Sequence, residues 1–421
     1  MPPKPRILVI VTNKWFSIGQ FLLALARVGF EVAVLCPAGS PIEQIGNLSA
    51  RYKYSSRRPQ KSIRSAIADW KPLFLICNDD VAVRELQDVH RQTRLEPDPS
   101  KSGKLAELIE LSLGDSRSFA TSRSKSRIIC VAQELSVNCP PTLVFDTYRD
   151  LGRDLDRLVY PALIKLDESS GGRGIRLVRS EHELFRAVSE LSFPSDWPKS
   201  VKSLLARVVE ALPVWCRPSF PPRMSIQSYI HGRPANRAVL CWRGKVLAGI
   251  TIEAIESDPE FGPTTLARII DHPELTEVAE KIVHSQNLSG FFGFDFVIDQ
   301  SSRAWFVEMN PRVTPACHLR FRAPSLPAAL FLQLTGELAE SDTREVPKDR
   351  IALFPNRISN EARSHPYFDD TPDEEPAFLE ACRRSRLLRR LSGSMTFHSD
   401  MQGRLGGQVS NPVIPEGTNG G

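Results

Sequence analysis

Apolar positions in this chain follow two rhythms. RILVIV (6–11) is an unbroken aliphatic run that predicts a strand buried on both faces. FLLALARVG (21–29) has apolar residues at helical spacing and ends in glycine, and EVAVLC (31–36) returns to strand character. That succession is a βαβ unit, and such units build parallel sheets. LFLIC (73–77) predicts a further strand, with NDD at its carboxyl end, where ligands meet parallel sheets. Asp79 and Asp80 are read as a cap on the helix VAVRELQDVH. The first βα turn, TNKWFSIG, lacks a GxGxxG fingerprint, so no nicotinamide site is read there.

Residues 91–104 are polar with two prolines and read as a linker. Residues 105–135 read as largely helical, and PPT (140–142) breaks the chain. Six prolines without periodicity in 192–223 predict an irregular insertion. From Met224 the strand rhythm resumes in MSIQSYI, RAVLCW and KVLAGITIEAI. A helix is predicted over 275–286, then strands in FFGFDFVID (291–299) and AWFVEMN (304–310). The signal weakens after residue 340, and the Gly/Pro-rich tail from Gly403 reads as disordered. The expected division is 1–104, 105–338 and a C-terminal extension, 339–421.

With 421 residues, 41% of them hydrophobic and 24% charged, the chain has ordinary globular composition and room for two or three domains. A net charge of +5 suits anionic substrates without requiring nucleic acid. The first residues lack a signal-peptide pattern. No run reaches the roughly 18 uncharged apolar residues of a membrane span; Arg27 and Glu31 interrupt the best candidate. Eight cysteines lie far apart with no CxxC pair, several inside apolar runs. The expectation is a reducing cytoplasm, no disulfide framework and no zinc site.

Two segments carry candidate chemistry. In LIKLDESSGGRGIRLV (163–178), Lys165 ends an apolar strand, and Gly171, Gly172, Arg173 and Gly174 precede a second strand. Glycine permits positive φ and close backbone approach, and successive N–H groups in such a turn make an anion-binding concavity. The flanks read strand–loop–strand and no lysine follows the last glycine, so this is not a Walker loop. The loop reads as a flap over phosphates or as a plain glycine hairpin. Lys165 favours the flap, because a lysine in an apolar strand needs an anionic partner.

In GFDFVIDQSSRAWFVEMNPR (293–312), a four-residue loop, 300–303, sets Asp299 against Ala304 and Asp295 opposite Glu308. Alternation places Asn310 on the face of Glu308. Two carboxylates and an amide oxygen then converge among apolar neighbours, where like charges repel unless a cation lies between them. Oxygen-only donors suit Mg²⁺ (or Mn²⁺) carried with substrate phosphates. An exposed hairpin with its acids in water is the plainer reading. It fits poorly with Phe294, Phe296, Val297, Trp305, Phe306 and Val307. Arg312 follows within reach of a transferring phosphoryl group.

Lys165, the glycine loop and the EMNPR segment, in this order and spacing, resemble the ATP-grasp superfamily of ATP-dependent ligases over residues 105–335. The resemblance implies an α/β and α+β architecture: an ATP-grasp fold, with a lid and a nucleotide- and metal-binding lobe, preceded by a Rossmann-like βαβ domain. Its cofactors would be ATP and Mg²⁺ (or Mn²⁺). Lys165 resembles the lysine that contacts adenine and phosphates, and SSGGRG (169–174) resembles the loop over the β- and γ-phosphates. IQSYIHG (226–232) resembles the hinge between lobes, where Gln227, Tyr229 and Ile230 would border the adenine, Ile230 through its backbone. Asp295, Glu308 and Asn310 match metal-binding positions. Arg312 matches the arginine that steadies the transferred phosphoryl group or the reacting carboxylate. A first nucleotide-binding lysine normally begins a helix upstream of Lys165. Lys125 fits, since Ile128, Ile129, Ala132 and Leu135 continue an apolar face from it. Arg123 is the alternative, and a solvated basic turn the plainer reading. Biotin carboxylases carry a glutamate four positions after the matching arginine. Ala316 stands there in this chain, which argues against bicarbonate activation by that route and brings the segment closer to the carbamoyl-phosphate-synthetase-like branch.

The implied activity is ligation. A substrate carboxylate attacks the γ-phosphorus to give an acyl phosphate and ADP, and an amine or thiol then displaces phosphate, with Lys165 and Arg312 as catalytic candidates. An ATP-binding module without turnover is the alternative, disfavoured because every metal position holds a competent ligand. CRRSRLLRRL (382–391) raises nucleic-acid or membrane-surface binding. A basic helix face balanced by acids at 369–375 is the simpler reading, so neither partner is expected. The expected partners are ATP, small carboxylate and amine substrates, and a second copy of the chain, as is common among relatives. Thr264, Thr265 or Arg268 fall where an acceptor site would lie, and His318 and His231 read as packing residues or proton carriers.

Overall fold

The computed structural model describes residues 4–96, 99–146, 150–151, 155–167, 174–193, 201, 204–205, 208, 223–257, 263–355, 359 and 364–394. Gly171, Gly172, Arg173, most of the proline-rich stretch and the tail from Gly403 lie outside the described residues.

The first unit is built from β1 (Arg6–Ile10), α1 (Gly19–Arg27), β2 (Glu31–Pro37), β3 (Ala50–Tyr54), α2 (Pro59–Trp70), β4 (Phe74–Cys77), α3 (Asp80–Arg94) and α4 (Pro99–Leu113). Its sheet is parallel with order β3-β2-β1-β4. β1, β2 and β4 are apolar through their centres because both faces are covered, whereas edge strand β3, ARYKY, exposes Arg51 and Lys53. Ile7 and Val9 pack toward α1, while Leu8 and Ile10 pack toward α2, α3 and α4. The linker expected over 91–104 is corrected: α3 runs to Arg94 and α4 starts at Pro99. A proline at the first helical position loses no hydrogen bond, so it begins this helix rather than marking a spacer. The division expected after residue 104 falls inside α4, whose Ile109 and Leu113 pack with the first sheet.

Next come α5 (Phe119–Arg123), α6 (Lys125–Glu134), β5 (Thr142–Phe145), β6 (Ala162–Leu166), β7 (Ile175–Val178), α7 (Glu181–Leu191) and β8 (Met224–Ser228). These strands form an antiparallel sheet of order β5-β8-β6-β7. Ala162, Ile164, Met224 and Ile226 cover one face with Leu184 and Val188 of α7. Alternation therefore turns Lys165 and Gln227 to the opposite face.

The largest sheet, in order β13-β12-β9-β10-β11-β14-β15, uses β9 (Gly232–Trp242), β10 (Lys245–Ser257), β11 (Thr264–Ile269), β12 (Gly290–Asp299), β13 (Ala304–Asn310), β14 (Arg350–Ala352) and β15 (Phe368–Asp369). Helices α8 (Pro273–Ser285), α9 (Leu326–Thr335) and α10 (Pro376–Ser394) belong to the same half of the chain. One face of the sheet, with Val239, Phe292, Phe294, Phe296 and Phe306, packs on α6 and α8. The other, with Leu240, Ile250 and Ile252, shares a core with α1. The weak signal after residue 340 therefore hides real structure. β14 and β15 extend this sheet, and Phe378 of α10 is buried against Gly19, where a Cβ would collide with its ring. Among the described residues no helix is long and apolar enough to cross a membrane. Cys36, Cys77, Cys241 and Cys317 are buried without disulfides.

Candidate active site

The β12–β13 hairpin sets the two carboxylates. Asp295 pairs with Glu308 as expected, yet the loop differs. The Asp299 N–H donates to the Arg303 carbonyl (3.0 Å), leaving a three-residue turn in which Ser302 is left-handed, φ 60°. Asp299 thus opposes Arg303, not Ala304. A bulge at Val307 restores the register before Asp295, so Phe296 faces Phe306 and Asp295 faces Glu308. The phenylalanines at 292, 294, 296 and 306 are fully buried on the other face. Burial of each contributes about 1.5–3 kcal/mol, enough to hold two like charges side by side.

The charges are not left bare. Asn236 on β9 donates from Nδ2 to Asp295 Oδ1 (2.6 Å), and Asn310 Nδ2 donates to Asp295 Oδ2 (2.8 Å). Burial, and then Glu308 opposite, still push the Asp295 carboxyl up. Burial acts the same way on Glu308, but Lys125 and Lys165 outweigh it and hold that carboxyl below its ordinary value. Lys125 Nζ lies 3.1 Å from Glu308 Oε1. The backbone of Lys125 is fixed at the start of α6 by Ser124. Its hydroxyl accepts from the Arg127 N–H (3.2 Å) and donates to Asp167 Oδ2 (2.7 Å), and Asp167 also takes the Ser126 N–H and hydroxyl.

Lys165, 5% exposed, reaches across from β6. Its ammonium donates to Gln227 Oε1 (2.6 Å) and to the carbonyl of bulged Val307 (3.5 Å). Burial, with Lys125 adding to it, lowers its pKa to about 8 against the pull of Glu308 and Asp295. Gln227 is in turn braced by donating to Thr142 Oγ1 (3.2 Å).

Arg312 joins this cluster to the first unit. Its Nη2 donates to Asn310 Oδ1 (3.1 Å), and its Nε faces both oxygens of Asp80 at 3.2 and 3.3 Å. Burial works against its charge, but Asp80 outweighs it and the guanidinium pKa is raised. The Val313 N–H donates to the Cys77 carbonyl (3.1 Å), pinning this loop to the carboxyl end of β4. Of the two acids read as caps, Asp79 alone is one, accepting from the Ala82 N–H (3.0 Å) and from Thr12.

Several expected residues stand apart. Gly174 is buried and its carbonyl accepts from the Leu166 N–H (2.9 Å). Tyr229 and Ile230, between β8 and β9, stay partly exposed, with the Tyr229 ring edge-on to His231 at 4.8 Å. Arg268 is engaged by buried Glu253 (2.7 Å), and Thr265 is 1% exposed. His318 packs against Asp370 (2.9 Å), tying the loop after Arg312 to the C-terminal segment. Ala316 is fully buried in the core. Asn236, Asp167 and Asp80 were not expected at the site; none carries a motif.

Among the described residues no group of three or more His, Cys, Asp or Glu side chains is placed to hold a metal ion by itself. The candidate donors are the two carboxylates and the Asn310 amide oxygen, which faces Arg312 here and would have to turn to join them; all are hard oxygen donors. They fit a magnesium-type cation and not a soft metal.

No protein-family model matches the sequence, and no curated protein matches it. Solved structures do resemble the fold. The Staphylococcus aureus N5-carboxyaminoimidazole synthetase complexed with ADP aligns with 82% of this chain and 80% of its own at TM-score 0.56 and 14% identity. The biotin carboxylase domain of Hydrogenobacter thermophilus 2-oxoglutarate carboxylase, bound to MgADP and bicarbonate, aligns over 80% and 71% at 0.54 and 15%. The L-amino acid ligase of Bacillus licheniformis aligns over 80% and 75% at 0.53 and 13%. The shared architecture is an ATP-grasp fold behind a Rossmann-like unit.

Proposed function

We propose that this chain is an ATP-dependent ligase that activates a substrate carboxylate as an acyl phosphate for attack by an amine or thiol. The observation that carries the reading is the row Glu308, Asp295 and Asn310 on one hairpin face, with Lys125 and Lys165 converging on it. The ADP and MgADP bound in two of the structural neighbours support it.

Lys165 and Lys125 would hold the phosphates, with Gly171, Gly172, Arg173 and Gly174 closing over them and Gln227, Tyr229 and Ile230 bordering the base. Lys125 is favoured over Arg123 because it already stands against Glu308. Asp295, Glu308 and Asn310 would hold Mg²⁺ (or Mn²⁺), which when bound screens phosphate charge. Arg312, fixed between Asn310 and Asp80, would steady the transferred phosphoryl group and the incoming carboxylate. Phosphoryl transfer asks little covalent chemistry of the protein, so placed charge carries the rate. The acceptor would enter over the carboxyl ends of β1 and β4, beside Asp80.

Glu308→Gln tests the reading. Offered ATP with pooled amino acids and small carboxylates, the native chain should release ADP and phosphate in a substrate-dependent way. The variant should turn over at least about a hundredfold more slowly; an unchanged rate would reject the assignment.

A further inference from the structure

We infer that Lys125 is an internal counter-ion that occupies Glu308 until nucleotide phosphates draw it away, so that a divalent cation binds at the Asp295–Glu308 pair only after the nucleotide. The inference rests on the proposed ATP site and deepens it.

Every prospective cation ligand already has a partner inside the protein. Glu308 Oε1 stands 3.1 Å from Lys125 Nζ, with the two side chains only 17% and 11% exposed. Both Asp295 oxygens accept amide hydrogens, one from Asn236 and one from Asn310. Asn310 therefore presents its nitrogen to the pair and its oxygen to Arg312 Nη2. The chemistry of the neighbours dictates that orientation: a guanidinium only donates and an ionised carboxylate only accepts, so a turned amide would lose both bonds. A cation arriving alone meets an ammonium on one carboxylate, two N–H donors on the other, and an amide facing the wrong way.

A polyphosphate changes each of these terms. It is the one expected ligand with enough negative charge to compete with Glu308 for Lys125. The base of Lys125 is held by the Ser124–Asp167 contacts, and a lysine's four-carbon stem is flexible enough to re-aim its ammonium. Once the ammonium leaves, Glu308 regains an open oxygen, and Asn310 has reason to turn its carbonyl toward the pair. Linkage makes the effect reciprocal: the cation must tighten nucleotide binding by the factor the nucleotide tightens the cation.

The test titrates Mn²⁺ into the full chain at pH 8 without nucleotide and follows the free aquo-ion by electron paramagnetic resonance, comparing native protein with Lys125→Met. Native protein should bind Mn²⁺ weakly, and the variant about tenfold or more tightly, because a charge-assisted bond no longer blocks the carboxylate. Lys165 stays within electrostatic reach of Glu308, so the carboxylate is not stranded in the variant. Should Lys125→Met fail to fold, Lys125→Gln carries the same comparison. Equal Mn²⁺ affinity in native and variant protein overturns the inference, as does native affinity that a non-hydrolysable ATP analogue leaves unchanged while binding. Calorimetry with that analogue tests the ligase reading separately. If the native chain does not bind it, that reading fails, while the nucleotide-free comparison still judges the counter-ion.

Discussion

Replacing Lys165 by methionine tests whether a buried ammonium is kept in place for an anion. Lys165 is 5% exposed and its pKa is lowered to about 8, chiefly by burial. A lysine in the unfolded chain titrates near 10.4, and each unit of difference is worth about 1.4 kcal/mol. Without ligand, the folded chain at neutral pH therefore carries a cost of about 3 kcal/mol for keeping this group charged. The sign follows from proton counts. As pH rises through 8 the native chain gives up its proton while the unfolded chain keeps one, so stability rises with pH. About 2 kcal/mol should be recovered between pH 7 and 9.5. Methionine removes that slope but leaves Gln227 Oε1, itself 1% exposed, without its donor. That loss costs about 1–3 kcal/mol, so the variant's absolute stability at pH 7 discriminates poorly and the slope is the readout. Urea unfolding of both proteins, nucleotide-free, at pH 7, 8, 9 and 9.5 gives the difference, in which tyrosine and cysteine titrations cancel. Stability of the variant relative to the native chain should fall by about 2 kcal/mol across the series. Parallel curves would refute the reasoning. Phosphate contact favours the protonated amine, so native nucleotide affinity should decline above pH 8, and the variant should bind nucleotide poorly throughout.

Three smaller perturbations probe the supports. Asp80→Asn removes the charge facing Arg312, a pair 32% and 21% exposed, so stability should change by less than about 1 kcal/mol. Turnover, read by ADP release, should fall about tenfold from looser positioning; an unchanged kcat means Arg312 is placed without Asp80. Gly293→Ala puts a methyl into Thr314 Cγ2, on the loop that follows Arg312, and should cost about 1–3 kcal/mol in thermal unfolding. Adding Thr314→Ser should recover most of that loss, and a double variant no better than the single one contradicts the clash. Ser124→Ala deletes the cap of α6 and should cost about 1 kcal/mol. A few-fold drop in nucleotide affinity by calorimetry should accompany it, since Lys125 is the next residue.

What the sequence displays and what it hides divide along a physical line. Lys165, Asp295 and Glu308 each interrupt an apolar run, and a charge where the strand period asks for a hydrophobic residue stands out without any structure. Alternation is enough to oppose Asp295 to Glu308, although the counted loop is one residue too long. The bulge at Val307 absorbs that difference and frees the carbonyl that meets Lys165. Three strands of the parallel first unit are equally plain as unbroken aliphatic runs, whereas edge strand β3, with Arg51 and Lys53 exposed, carries no such signal. The groups that hold the charges in place leave no such trace. Asp80 lies 232 residues from Arg312, Asn236 lies 59 from Asp295, and Asp167 lies 43 from Ser124. Asp80 and Asp167 lie in turns or at a helix start, where polar residues are the rule, and Asn236 is one polar residue in a mixed strand. The same applies to His318, whose partner Asp370 comes from a segment with weak periodicity. Pattern reading therefore finds charges that are costly to bury, because their cost is what makes them conspicuous. It misses their partners, which sit in places where a polar side chain costs little until the chain folds around it.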